Sequence, residues 1–255
     1  MTNILLLFIS LLFISQNAVA KDGCSHDCKQ CHIISEKEAA KVLANHGNPK
    51  IIDIRMSPVK GLWQVMAVKD NVKNVYYIDF EKKNVVIGAI IDSTGKVNLT
   101  REAVEKATVF NIADIKQTNA LILGKEGAKI KVYVMTDPTC FFCSNLHKEM
   151  KELLKNHPEI SFNILLFPSK GSKESYDKAK TIICSPTPLK LLEDSFAKKS
   201  IPPVSCNTKV IDENIALGKK YGITGTPTII FPNGRVHFGT EEKKKLLSLI
   251  LQNLK

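Results

Sequence analysis

Two cysteines separated by two residues, Cys140 and Cys143, are the part of the sequence best suited to chemistry. They follow a strand-like run at 130–135 and precede a helix-like run at 144–155. A thiol at the first turn of a helix lies beside unpaired backbone N–H groups, which favour the negative charge of the reactive thiolate. The spacing therefore predicts a redox pair in which Cys140 attacks a disulfide and Cys143, deeper in the turn, resolves the mixed disulfide.

The two residues between the cysteines, Phe141 and Phe142, offer the thiolate no charge and no polar donor. We therefore expect a reduction potential closer to that of isomerases than to that of a strong oxidant. A plain structural disulfide and half of a zinc site are the alternative interpretations. A zinc site needs two further ligands at matching spacing, and the nearby His147 has no evident partner pair, so no metal is expected here.

The first twenty residues have the pattern of a signal peptide rather than of a folded segment. Residues 4–14 are almost unbroken apolar sequence, too short to span a bilayer, and Ala18-Val19-Ala20 supplies the small residues of a cleavage site. The prediction is a soluble protein exported to the periplasm that begins near Lys21. A retained membrane anchor is the alternative, because residues 1–3 contain no Lys or Arg.

A second cysteine cluster lies in the Cys-rich segment at 21–33. Cys28, Cys31 and His32 satisfy the pattern for covalent attachment of a c-type haem, which would make the chain an electron carrier. A local disulfide or free thiols, with Cys24 included, is favoured over haem because so few residues surround the motif. A metal site on the same residues is a further alternative. No cofactor is expected to be required.

The formal net charge of +11 comes mostly from lysines scattered along the chain. Several lysines fall at helical spacings opposite apolar residues, as expected for a solvated helix face. No interleaving of aromatic and basic residues is present, and the export signal also argues against nucleic-acid binding. A basic surface can still attract acidic clients or anionic membranes.

Residues 34–99 are predicted to form a small α+β domain. Ser35 and Glu38 have the spacing of a capping box that begins a helix, and Gly47 ends it. Strand-like segments follow at 51–55, 62–68, 75–80 and 85–91, separated by turn residues. Because a small antiparallel sheet with an uncovered edge needs a partner, this domain is predicted to dimerise. Residues 100–119 are interpreted as a helical linker.

Residues 120–255 are predicted to form an α/β domain. Strands are expected at 130–135, 160–167, 227–231 and 235–238, and helices at 144–155, 173–183, 188–199, 213–221 and 241–254. This order, β-α-β followed by helices and then β-β-α, is typical of the thioredoxin fold.

Several separate motifs make the chain resemble one family. They are TDPTCFFCSNLH at 136–147, LFP at 166–168 with Gly171, ALG at 216–218, GITGTP at 222–227 and SPVKGL at 57–62. Over residues 34–255 the chain resembles the periplasmic disulfide isomerases of the DsbC type. The two residues between the cysteines differ from those usual in this family, because Phe141-Phe142 replaces the commoner Gly-Tyr.

The resemblance implies a homodimer in which the N-terminal domains are joined and two thioredoxin domains face a cleft. It implies that Cys140 and Cys143 are the redox pair and that Cys184 and Cys206 form a structural disulfide. It also implies that Pro227 is cis and that the backbone of Thr226 pairs with the substrate. Phe141 and Phe142 are further candidates for substrate contact.

The function predicted from these observations is that of a protein-disulfide isomerase or thiol–disulfide oxidoreductase. Its partners would be misfolded or oxidised exported proteins and a membrane thiol reductase that keeps the cysteine pair reduced. The alternatives are a thiol reductase that protects single cysteines, the haem electron carrier described above, and a holdase chaperone whose apolar cleft binds unfolded clients.

Overall fold

A computed structural model describes residues 33–168, 171–202 and 206–255, of which residues 35–255 form one compact unit. The signal peptide predicted at 1–20 and the candidate haem residues Cys28, Cys31 and His32 lie outside the described residues. The unit contains two sheets, with strand orders β1-β2-β3-β4 and β5-β7-β6-β8-β9. Among the described residues, no helix has both the length and the apolar character needed to cross a membrane.

The first helix, α1 (Glu36–Leu43), begins with the capping box that the sequence predicts. The Ser35 hydroxyl accepts from the Glu38 N–H at 3.2 Å, and the Glu38 carboxylate accepts from the Ser35 N–H at 2.8 Å. A short 3-10 turn follows the helix, and Gly47 ends it in the left-handed conformation, with φ +88°.

The first sheet is an antiparallel meander of β1 (Lys50–Met56), β2 (Leu62–Lys69), β3 (Val72–Asp79) and the short β4 (Val85–Val86). The expectation that the fourth strand extends to residue 91 was wrong. The Ile90 N–H donates to the Thr100 hydroxyl at 2.8 Å, and the Ile90 carbonyl accepts from the Leu99 N–H at 2.9 Å. These backbone groups bind the start of the next helix instead of β3, so the strand ends early.

The linker is helical only in its first half, as α2 (Leu99–Ala107), so the expectation of one helix over 100–119 was wrong. Beyond the helix, Val109 forms a β-bridge with Arg235, and the Phe110 N–H donates to the Gly234 carbonyl at 2.7 Å. Tertiary pairing therefore takes the backbone out of the helix. Two 3-10 turns, Ile112–Asp114 and Gln117–Asn119, complete the segment.

The second sheet is formed by β5 (Leu121–Gly124), β6 (Ile130–Thr136), β7 (Ile160–Leu166), β8 (Thr228–Ile230) and β9 (Val236–Phe238). The β6 and β7 strands run parallel and the other pairs are antiparallel. Strand β5 was not predicted. The helices are α3 (Phe141–Leu154), α4 (Lys173–Cys184), α5 (Pro188–Phe196), α6 (Val210–Lys220) and α7 (Lys243–Gln252).

The core covers both faces of this sheet. Successive residues of β6 point to opposite faces: Val132 and Val134 belong to one hydrophobic cluster, and Tyr133 and Met135 to the other. Every residue of β7 is buried, as expected for a central strand covered on both faces. This rigid centre leads directly into the segment that carries the two cysteines.

Helix α2 connects the two sheets. Its Ala103, Val104 and Ala107 pack against a cluster of the first sheet. Its Glu105 carboxylate accepts from the Phe238 N–H of β9 at 2.8 Å and lies 3.1 Å from Nδ1 of His237.

Candidate active site

Cys140 is the N-cap residue of α3, directly after the loop that follows β6. Its N–H donates to the Asp137 carbonyl at 3.1 Å, and its carbonyl accepts from the Ser144 N–H at 3.2 Å. Its side chain is partly exposed, whereas Cys143, in the first turn, is only 1% exposed. Both thiols are free.

The pKa of the Cys140 thiol is lowered from 9.0 to about 6. The largest cause is a hydrogen bond from the Cys143 thiol, which stabilises the Cys140 thiolate. Burial opposes the shift, while the backbone N–H groups of Cys143 and Phe142 and the side chain of Thr226 assist it. Most of the Cys140 side chains are therefore thiolates at neutral pH.

The pKa of the Cys143 thiol is strongly raised, first because burial disfavours its charge and second because it donates to Cys140. The two cysteines consequently differ in exposure and in protonation. This arrangement suits one attacking thiolate and one protonated, protected thiol that becomes a nucleophile only when a mixed disulfide has formed.

The loop before Cys140 is held by a buried carboxylate that sequence reasoning missed. Oδ1 of Asp137 accepts from the N–H and the hydroxyl of Thr139, at 2.8 and 2.7 Å. The hydroxyl of Ser195 donates to the Pro138 carbonyl at 2.9 Å and so ties the loop to α5. The turn-forming Asp-Pro-Thr sequence was the available signal for the first of these contacts.

Thr226 and Pro227, which lie 86 residues or more after Cys140, are brought beside it. The Thr226–Pro227 peptide bond is cis. The Cys140 sulfur lies 3.5 Å from the Thr226 carbonyl oxygen, and the Thr228 hydroxyl donates to the Gly225 carbonyl at 2.8 Å. The loop before β8 thus presents backbone next to the thiol that we expect to react.

Phe141 and Phe142 project from the first turn of α3 and are 69% and 58% exposed. Their rings lie 5.6 Å apart at 72°, an edge-to-face pair. Exposed aromatic side chains beside a nucleophile offer apolar contact area to a bound polypeptide.

A cavity of about 720 Å³ adjoins Cys140 on the side of α5. It is lined by Pro138, Thr139, Cys140, Phe141, Ser144, Asn145, Lys148, Glu174, Lys178, Ser195, Phe196, Ala197, Lys198 and Lys199. Most of these side chains are polar or charged, and four of them are lysines.

His147 is buried one turn beyond Cys143, with its Nε2 3.3 Å from a carboxylate oxygen of Glu193. Burial lowers the pKa of His147, and Glu193, whose own pKa is lowered mainly by Lys151, opposes that shift. Within residues 33–168, 171–202 and 206–255, no group of three or more His, Cys, Asp or Glu side chains could hold a metal ion.

Cys184 and Cys206 are joined in a disulfide, with their Cα atoms 5.6 Å apart. Cys184 is the last residue of α4, and the bridge links it to the segment that precedes α6. These two sulfurs are therefore separate from the free pair at 140 and 143.

Two families of known domains match the chain. The thioredoxin-like domain family matches residues 117–253, more than half of the chain, and the disulfide bond isomerase protein N-terminal domain matches residues 34–101. Together they cover both sheets.

Whole proteins with both regions are also similar. The thiol:disulfide interchange protein DsbC of Salmonella typhimurium is 29% identical over 206 residues, covering 80% of this chain and 82% of that protein. The DsbC protein of Escherichia coli is 29% identical over 214 residues, covering 81% and 84%.

Among solved structures, the disulfide interchange protein from Neisseria gonorrhoeae is 28% identical, with a TM-score of 0.49, over 55% of this chain and 99% of that one. The family matches agree with the presence of two free thiols at the start of α3. The chain belongs to the thioredoxin-like family, as a thiol–disulfide oxidoreductase of the DsbC type that carries the isomerase N-terminal domain.

Proposed function

We propose that this chain rearranges incorrect disulfides in exported proteins of the periplasm, with Cys140 as the nucleophile and Cys143 as the resolving thiol. The observation that carries the proposal is the geometry of the pair: Cys140 is a partly exposed thiol at the N-cap of α3, beside the buried thiol of Cys143 and 3.5 Å from the Thr226 carbonyl. The lowered pKa of Cys140 agrees with this geometry. A standing thiolate is what isomerisation needs, because the first step is attack on an existing disulfide.

The proposed reaction needs no cofactor. The Cys140 thiolate attacks one sulfur of a client disulfide, the client S–S bond breaks, and the second client sulfur leaves as a thiolate. A different client thiolate then attacks the mixed disulfide and regenerates the Cys140 thiolate, so no net oxidation occurs. If the adduct stalls, the Cys143 thiolate displaces the client, and Cys140 and Cys143 become a disulfide.

Two features support client binding at this site. The Thr226 carbonyl lies 3.5 Å from the Cys140 sulfur, where an extended client segment could pair with the backbone of Thr226. Phe141 and Phe142 give an exposed apolar surface beside the sulfur. Misfolded proteins expose both backbone and apolar side chains, so the site suits them better than it suits native proteins.

The partners follow from the same chemistry. The pair becomes oxidised whenever Cys143 resolves an adduct, so the proposal includes a membrane thiol reductase that returns it to the reduced form. It also includes a homodimer formed through the N-terminal domain, supported by the match of residues 34–101 to the isomerase N-terminal family. No nucleic acid and no haem or metal takes part in the proposed reaction.

The test is recovery of activity from scrambled ribonuclease by the reduced protein. We expect Cys140→Ser to abolish recovery and Cys143→Ser to retain part of it while accumulating mixed disulfides. Full activity of Cys140→Ser would overturn the proposal. Reduction of a client that bears a single sulfenylated cysteine, with no recovery of scrambled ribonuclease, would instead identify a thiol reductase.

A further inference from the structure

The cavity beside Cys140 carries positive charge that the surrounding carboxylates do not neutralise. Glu174 pairs with Lys178 at 2.7 Å, and Asp194 pairs with Lys199 at 2.9 Å. Asp194 also binds Lys190 at 2.7 Å. The acidic residues around the cavity are thus already engaged by lysines.

Two lysines of the cavity wall, Lys148 and Lys198, form no ion pair with any of the residues that the structure describes. Lys148 lies on α3 in the row of residues 140, 144 and 148, which share one face of the helix. Lys148 therefore lines the same cavity as Cys140.

Lys198 is set in place by the end of α5. The helix ends at Phe196 rather than at the expected residue 199 because Lys198 adopts the left-handed conformation, with φ +57°. Its N–H donates to the Ser195 carbonyl at 2.9 Å, and the Ser195 hydroxyl binds the active-site loop at Pro138. The turn that carries Lys198 is thereby attached to the segment that carries Cys140.

We propose that this cavity selects client segments in which acidic residues flank the reacting half-cystine. The inference rests on the proposed function and names its preferred substrate class. While the Cys140 thiolate attacks the client sulfur, the two unpaired ammonium groups attract carboxylates one or more residues away from that sulfur. Attraction of this kind raises the rate of encounter and the stability of the mixed disulfide, and salt screens it.

The test uses three synthetic peptides that differ only at the residues flanking one cysteine, which are Glu, Gln or Lys. The cysteine carries a 2-pyridyl disulfide, so attack by Cys140 releases 2-thiopyridone, which is followed by absorbance. With the reduced full chain at low ionic strength we expect the Glu peptide to react roughly three- to tenfold faster than the Gln peptide, and the Lys peptide to react more slowly. Added salt should shrink these differences.

The variant for this test is the double substitution Lys148→Glu and Lys198→Glu, which should reverse the order of the Glu and Lys peptides. The matched control is Lys129→Glu, an exposed lysine just before β6, at the end of that strand away from Cys140. It changes the net charge of the chain by half as much as the double variant but leaves the cavity intact. The order of the three peptides should be the same in this control as in the original chain.

Equal rates for the three peptides, or a preference that the double variant leaves intact, would overturn the inference and leave the proposed function standing. The inference would also be overturned if the double substitution slowed only the reaction of Cys140 with glutathione disulfide and not its reaction with the peptides. The lysines would then favour a small disulfide and not a client. If Cys140 attacked none of the peptides, the proposed function itself would fail and the inference with it.

Discussion

Gly222 packs directly against the carbonyl of Asn71, so closely that a β-carbon on Gly222 would overlap that carbonyl. Asn71 lies in the turn between β2 and β3, and Gly222 follows α6 and leads to the loop that contains Thr226. A second contact, from the side-chain N–H of Asn71 to the Lys219 carbonyl at 3.4 Å, joins the same two segments. The first sheet therefore supports the segment that leads to Thr226, whose carbonyl lies 3.5 Å from the Cys140 sulfur.

Replacement of Gly222 by Ala should destabilise the chain for two reasons. Gly222 has φ +71°, which costs an alanine about 1 kcal/mol, and the new methyl group would also have to displace the backbone of Asn71, adding about 1–3 kcal/mol. The control is Gly127→Ala, at φ +74° with no atom within 4 Å of the added carbon. Urea unfolding should show a larger loss of unfolding free energy for Gly222→Ala than for Gly127→Ala. Equal losses would contradict the close contact between Gly222 and Asn71.

Alkylation of Cys140 by iodoacetamide should accelerate as the pH rises through about 6 and then level off. The sign follows because the thiolate reacts and the thiol does not, so a lowered pKa makes Cys140 reactive at lower pH. Cys143 should add nothing to the curve near neutrality, because its pKa is raised.

The hydrogen bond from the Cys143 thiol is the largest cause of the low pKa of Cys140. Substitutions at position 143 that remove or keep a hydrogen-bond donor should therefore change this pKa by different amounts. Cys143→Ala removes the donor and should move the inflection of the alkylation curve toward the ordinary value of a cysteine. Cys143→Ser retains a hydroxyl donor and should move it less. An inflection that is the same in both variants would mean that the hydrogen bond from residue 143 does not stabilise the thiolate.

Loss of the bridge between Cys184 and Cys206 should lower the free energy of unfolding by about 3 kcal/mol, since it closes a loop with a sequence separation of 22. The double substitution of both cysteines by Ala avoids a stray thiol. Denaturant unfolding of the two proteins in the absence of reductant measures the difference. The alkylation curve of Cys140 should be the same in the double variant as in the original chain. A double variant as stable as the original chain would contradict a structural role for the bridge.

Glu105 should stabilise the contact between α2 and the second sheet. Glu105→Ala leaves the Phe238 N–H without its acceptor, at a cost of about 1–3 kcal/mol, whereas Glu105→Gln keeps an oxygen acceptor and should cost less. Glu102→Ala on the same helix is the control, because its exposed pair with Lys106 contributes about 0.5 kcal/mol or less. Similar unfolding midpoints for the Glu105→Ala and Glu102→Ala variants would show that α2 does not depend on this acceptor.

Local signals in the sequence account for much of the fold. The capping box at Ser35 and Glu38 begins α1 where expected, and alternating or continuous apolar runs identify most strands of both sheets. These features depend on residues near one another in the chain, so a single sequence carries them. The expectations failed at 87–91 and 109–119, where backbone groups bind partners outside the segment, such as Thr100 and Gly234.

The sequence by itself determined which chemistry is available, because the spacing of Cys140 and Cys143 and the strand before them are local. Only the tertiary structure decided how that chemistry is tuned. It buries Cys143 beneath Cys140 and brings the Thr226 carbonyl to within 3.5 Å of the sulfur. In the part of the chain that the structure describes, it also leaves Lys148 and Lys198 without an ion pair. Burial, hydrogen bonding and charge balance depend on groups far apart in sequence, and their positions are defined only when the sheet and helices have packed.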